Sequence, residues 1–281
     1  MDAVTIDQEL IHEVIGAVAP EQTLDQVVHL GTSSVVALTE DLAIRIARNT
    51  EVAKSILRTQ KLVDALPEYS FGLPRSAGEP LQEERVTAVP TLRLWGEPHA
   101  AGRGNTAVLY GVLQEIRATS TSHIRPYLAE PRAFCGGKRW RNEMLEQVIP
   151  LLSYAAQERA LAIINDLSAL QATLDTSQLV FSHVDLAGTN MLFEGGKVSG
   201  ILDWDLATVD DPAIDIACLA AWHGDQFIRL LARTREEAER AMLFRLSHPL
   251  QVIAFSILHK HPKEQVDALI ARAEERLLKN Y

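Results

Sequence analysis

Apolar positions along the chain change period several times. Ile6, Leu10, Ile11, Val14, Ile15 and Val18 recur at three- and four-residue spacing, which predicts an amphipathic helix over 6–18. The period then drops to two. "QVVHL" leads through "GTSS" to "VVAL", and "TED" leads on to "LAIRIA", predicting three strands joined by tight connections. Residues 51–66 return to helical spacing, and "ERVTAV" and "TLRLW" predict two more strands. This order fits a small antiparallel sheet with one helix laid on it. From Gly96 onward the pattern is mainly helical, with helices predicted near 105–119, 140–152 and 156–173 and more to the end. The segment "WGEPHAAGRGN" at 95–105, rich in Gly and Pro, marks the boundary between a first domain, 1–95, and a second, 96–281.

Composition adds exclusions. The 281 residues are 47% hydrophobic and 23% charged, as in soluble globular proteins. The longest apolar stretches are interrupted before the length of a membrane span, and the acidic start "MDAVTIDQELIHEV" lacks the build of a secretory signal. Cys135 and Cys218 are the only cysteines, which argues against a disulfide framework and for a reducing cytoplasm. With 27 Lys and Arg against 37 Asp and Glu, the net charge of −10 disfavours a broad nucleic-acid face and favours cationic small ligands. The one basic patch, "GGKRWRNE" at 136–143, reads as a solvated helix start.

Chemistry concentrates in "FSHVDLAGTNMLF", residues 181–193, followed by "EGGKVSGILDWD". Met191–Phe193 and Val198–Leu202 predict a hairpin turning at "EGGK". Its open end brings Asn190, at the start of one strand, near Asp203, at the end of the other. Asp185 lies five residues before Asn190. Singly, an Asp in a turn is ordinarily a cap and a His ordinarily a satisfied polar group. Jointly, three oxygen-bearing side chains suit a hard cation such as Mg2+, which shares its coordination with substrate phosphates.

The run "HVDLAGTN" followed by "LDW" resembles the catalytic loop and metal motif of the aminoglycoside phosphotransferases and their macrolide, choline and homoserine kinase relatives. The resemblance implies an α+β, two-lobed protein-kinase-like fold, with a small antiparallel-sheet N-terminal lobe and a larger, mainly helical C-terminal lobe. It implies that Asp185 orients and deprotonates an acceptor hydroxyl, that Asn190 and Asp203 hold Mg2+ on the nucleotide phosphates, and that His183 and Asp215 support the loop. Val184 departs from the Gly usual at that place. A literal "HGD" at 223–225 is a decoy, because Leu230 stands five residues after Asp225 and cannot bind a metal.

On the nucleotide side, "HLGTSSVVAL" fits a phosphate cradle in which Gly31 permits the turn and Ser33 and Ser34 offer donors. By the same resemblance, Arg45 pairs with the α and β phosphates of ATP or GTP, Arg48 being the alternative. Gln60 or Glu51 orients that cation in place of the usual helix Glu. Thr91, Leu92 and Arg93 meet the base, and Leu192 and Leu202 form its apolar floor. Asp205, Asp210, Trp222 and His223 stand as acceptor-binding residues, with Asp211 a further carboxylate for a cationic group. The expected activity is transfer of a γ-phosphoryl group to an antibiotic hydroxyl, an aminoglycoside before a macrolide or a metabolic alcohol. The contrasting reading is a nucleotide-binding pseudokinase. Neither involves nucleic acid or a membrane.

Overall fold

A computed structural model describes residues 5–30 and 34–279. It begins with helix α1 (Gln8–Val18), strands β1 (Gln26–Leu30), β2 (Ser34–Leu38) and β3 (Leu42–Ala47), and helix α2 (Thr50–Ala65). Strands β4 (Leu81–Gln82), β5 (Thr87–Leu92) and β6 (Glu97–Pro98) precede helices α3 (Thr106–Arg117), α4 (Trp140–Glu143) and α5 (Tyr154–Thr173). Strands β7 (Val180–Ser182), β8 (Met191–Glu194), β9 (Lys197–Ile201) and β10 (Thr208–Asp210) follow. Helices α6 (Ala213–His223), α7 (Gln226–Leu231), α8 (Arg235–Leu258) and α9 (Lys263–Leu278) complete the chain. By its contacts the chain divides into two compact units. One comprises Met1–His99, Ser120–Leu128 and Gly188–Asp205; the other comprises Ala100–Thr119, Ala129–Ala187 and Leu206–Tyr281.

The first unit is built on an antiparallel sheet in the order β1-β2-β3-β5-β4. Side chains alternate across it. Val35, Ala37, Ile44 and Ile46 form one core with Ile11, Val14 and Ile15 of α1. On the opposite face Ala47 and Val89 pack with Ala53 and Ile56 of α2. Arg45 shares that second face by the same alternation. Both helices start on capping side chains: Asp7 accepts the Leu10 N–H at 3.0 Å and Asn49 that of Val52 at 2.9 Å.

The two strands expected around "ERVTAV" and "TLRLW" are instead one strand, β5, which runs straight through Pro90. Proline survives there because its carbonyl turns away from β3 to accept the Ala77 N–H at 3.0 Å. The missing N–H therefore falls on the sparsely paired side of the strand. The β8–β9 hairpin forms as expected and packs in this same unit. Gly72 donates to the Ser199 carbonyl at 2.9 Å and accepts from the Ile201 N–H at 3.1 Å.

In the second unit α8 packs against α6, α5 and α9. It is long and apolar enough to cross a bilayer, but half of that stretch is buried among its neighbours. Two of its arginines pair outside the helix, Arg240 with Asp211 at 2.7 Å and Arg245 with Asp225 at 3.1 Å. It reads as a core helix. The helix expected over 140–152 is irregular: α4 gives way to a wide π-type turn at Met144–Val148 and a tight turn at Ile149–Leu151. Pro150 supplies the reason, since it has no N–H to continue the ladder.

Candidate active site

In the second unit, β7 leads directly into His183-Val184-Asp185, and β10 pairs with β7 alongside. The loop is held from α6. The carboxylate of Asp215, 1% exposed, accepts the N–H of His183 at 3.0 Å and that of Val184 at 2.7 Å. Burial pushes Asp215 up to about 6, even though those two bonds favour its charged form. One helical turn on, the Cys218 thiol donates to the Val184 carbonyl at 3.0 Å. Val184 sits at φ +71, a left-handed conformation that costs a β-branched residue free energy. Both its peptide groups are therefore held by α6, which explains how a Val is kept in this conformation. His183 is fully buried, and its Nδ1 accepts the Asp185 N–H at 3.2 Å.

In the first unit, Asn190 and Asp203 flank the open end of the β8–β9 hairpin, which is closed by a bond from the Leu202 N–H to the Asn190 carbonyl at 2.8 Å. Asp203 has φ +56. Trp204 beside it is buried, donates its Nε1–H to the Ile201 carbonyl at 3.0 Å, and stacks on Tyr69 at 6.3 Å. Burial, and then repulsion by Asp205, raise the Asp203 carboxyl above its ordinary range, while Arg45 pulls it down. A divalent cation suits such an under-compensated carboxylate. Among the described residues no three His, Cys, Asp or Glu side chains cluster as a metal cage.

Arg45 finds a partner that the sequence reading assigned elsewhere. Its Nη1 donates to Asp205 Oδ1 at 2.9 Å, its Nη2 to Asp205 Oδ2, and its Nε to Ser34 Oγ at 3.4 Å. Neither residue expected to orient Arg45 is engaged with it: Gln60 donates to Asp64 at 3.0 Å and to the Pro74 carbonyl at 3.2 Å, and Glu51 is an exposed first-turn residue of α2. Gly31 and Ser33 lie outside the described residues. Of the segment expected to meet the base, the Leu92 N–H is given to the Arg75 carbonyl and the Arg93 N–H to that of Asp41, each at 2.8 Å. Thr91 Oγ1 bonds the Ala43 carbonyl at 2.9 Å. Leu192 is buried and Leu202 half-buried.

The acidic residues assigned to the acceptor have internal partners or are covered. Asp211 is fully buried, paired with Arg240 and bonded to the Ala213 N–H at 2.9 Å. Asp210 is buried, and burial raises its carboxyl. His223 is buried at the end of α6, 5.3 Å from the Phe227 ring, and Trp222 is half-buried. Asp225 of the decoy tripeptide bridges Arg245 and Arg276.

The sequence profile of the phosphotransferase enzyme family matches residues 29–247, more than half of the chain, a stretch that includes Arg45, Asp185, Asn190, Asp203 and Asp215. The chain belongs to this family. Viomycin phosphotransferase of Streptomyces vinaceus is 28% identical over 211 residues, covering 70% of this chain and 67% of that one. The GDP complex of aminoglycoside 2'-phosphotransferase-IIIa superposes with a TM-score of 0.79 at 14% identity, over 98% of this chain and 100% of the other. The apoenzyme of a macrolide 2'-phosphotransferase from Brachybacterium faecium does so at 0.65 and 16%, over 98% and 99%. The fold of this phosphotransferase is thus the kinase-like α+β fold, with an antiparallel sheet region followed by a helical one.

Sequence reasoning missed the partner of Arg45 and the thiol on Val184. The first had a signal, because a charge in the middle of an apolar strand needs a counter-charge. The second had one too: Cys218 follows Asp215 by three on a helix and so shares its face.

Proposed function

We propose that this phosphotransferase moves the γ-phosphoryl group of ATP or GTP to a hydroxyl of an antibiotic. Asp185 accepts the hydroxyl proton, on a loop whose backbone is pinned by Asp215. Asn190 and Asp203 hold Mg2+, which when bound neutralises the charge on the transferred group. Arg45 meets the α and β phosphates. The observation that supports this reading is the pair of hydrogen bonds that buried Asp215 accepts from the His183 and Val184 N–H groups, which hold the backbone just before Asp185, within the stretch matched by the family. A carboxylate so presented suits a general base.

Asp205 and Asp211 are spent on arginines, so the case for a cationic acceptor rests on the relatives. The 28% relative is named for viomycin, and one structural neighbour is a kanamycin complex. The acceptors to try are therefore viomycin, kanamycin, gentamicin and streptomycin, with a macrolide and a metabolic alcohol beside them. The test incubates the chain with each, plus Mg2+ and ATP or GTP, and identifies phosphorylated product by mass. A phosphorylated antibiotic supports the proposal. Binding of nucleotide with no transfer to any acceptor contradicts it and favours a nucleotide-binding module.

A further inference from the structure

The Arg45–Asp205 pair joins residues 160 apart in sequence and belongs wholly to the first unit. It is bidentate, the geometry that fixes a guanidinium in orientation as well as place. A guanidinium has five N–H donors. The bonds to Asp205 and Ser34 use three, leaving one on each Nη for a phosphate oxygen. The side chains of Arg45 and Asp205 are 20% and 23% exposed, so a ligand can reach the pair. Asp205 is itself immobilised. Arg58 of α2 donates to its carbonyl at 2.7 Å and to that of Tyr127 at 2.8 Å, and the Thr59 hydroxyl bonds its carboxylate. Trp204, the residue before it, is buried and stacked on Tyr69.

We propose that Asp205 is a positioning residue for phosphate binding: it aims the Arg45 guanidinium at the α and β phosphates of the nucleotide, while α2 contributes indirectly by holding Asp205 through Arg58 and Thr59. This deepens the functional reading above and rests on it. A carboxylate fixed by its own backbone and by α2 does not swing away to let the cation go. It aims the cation and does not compete for it.

The test measures binding of non-hydrolysable analogues of ATP and GTP with Mg2+, and of adenosine and guanosine alone, by calorimetry. Asp205→Asn is expected to weaken triphosphate binding about tenfold, the size of one charge-assisted hydrogen bond's worth of orientation, with nucleoside binding unchanged. Arg45→Gln should weaken it at least as much, and Arg45→Gln/Asp205→Asn no more than Arg45→Gln alone, because Asp205 acts through Arg45. Thr59→Val, a gentler change, should give a loss of about two- to threefold, so the proposal stays testable if Asp205→Asn melts early. Tighter or unchanged triphosphate binding in Asp205→Asn overturns it, as do additive losses or a shift confined to the acceptor KM. If the unaltered chain binds neither triphosphate, the functional reading itself fails, a different result from a silent Asp205→Asn.

Discussion

Replacing Asp215 with Asn separates fold from function. The substitution keeps shape and removes charge. At pH 7 the wild-type carboxylate is ionised although burial has raised it from 3.8 to about 6. That displacement corresponds to about 3 kcal/mol of unfavourable free energy, which Asn does not carry. Against this, Asn offers one acceptor where the wild type offers two. One of the N–H groups now bonded at 3.0 and 2.7 Å then faces an amide NH2, at a cost of about 1–3 kcal/mol. The terms largely offset, so stability at pH 7 is expected to change by no more than about 2 kcal/mol. Activity is another matter. The Val184 peptide, held at φ +71, loses half its support, and a displacement of the base by about 1 Å costs on the order of a hundredfold in rate. The pH profile supplies a signature. Because the folded value is raised, the native state keeps a proton that the unfolded chain releases. The stability this contributes is full below 3.8 and is lost as pH rises through about 6. Asn has no such titration, so urea unfolding should show the variant gaining on the wild type by about 1.4 kcal/mol between pH 5 and pH 7. Parallel stability curves, or an unchanged kcat, would refute the reasoning.

Other outcomes follow from the same contacts. Trp204→Ala empties a fully packed site beside Tyr69 and should destabilise by about 3–5 kcal/mol in chemical denaturation; a loss below 1 kcal/mol would contradict the packing. Burial beside Arg245 and Arg276 lowers His248 to about 4, so the unfolded chain binds its proton first and stability is lost as pH falls from 6.5 toward 4. His248→Gln should remove that slope, which opposes the one from Asp215 over much of the same range. Gly96 has φ +134, and a Cβ there would lie 2.4 Å from Ser199 Oγ and 3.0 Å from the Phe193 carbonyl. Gly96→Ala should therefore lower the melting temperature by several degrees, and an unchanged value would count against the close approach.

Local pattern made much of this protein legible. Helices α1 and α2, strands β1 to β3 and the β8–β9 hairpin follow from periodicity, because each buries one face or alternates across a sheet. Pro90 misled as a strand breaker, since sequence does not show which side of a strand lacks a partner. Strands β6 and β10, of two and three residues, carry no period at all. At the site, the hairpin that brings Asn190 beside the strand end before Asp203 was readable because a hairpin is a local device. The ion pair of Arg45 with Asp205 was not, since their meeting depends on how the hairpin packs in the first unit. The net charge pointed to cationic ligands, yet Asp205, Asp211 and Asp225 are all paired with internal arginines. Summed charge does not distinguish a paired carboxylate from an available one.

The role of Asp185 is open to direct measurement: single-turnover transfer of the γ-phosphoryl group to whichever antibiotic proves to be the acceptor, comparing the unaltered chain with Asp185→Asn. Transfer should fall by about a hundredfold or more, while the affinity for triphosphate with Mg2+ and the melting temperature hold. Transfer that continues undiminished in Asp185→Asn would contradict its assignment as the base.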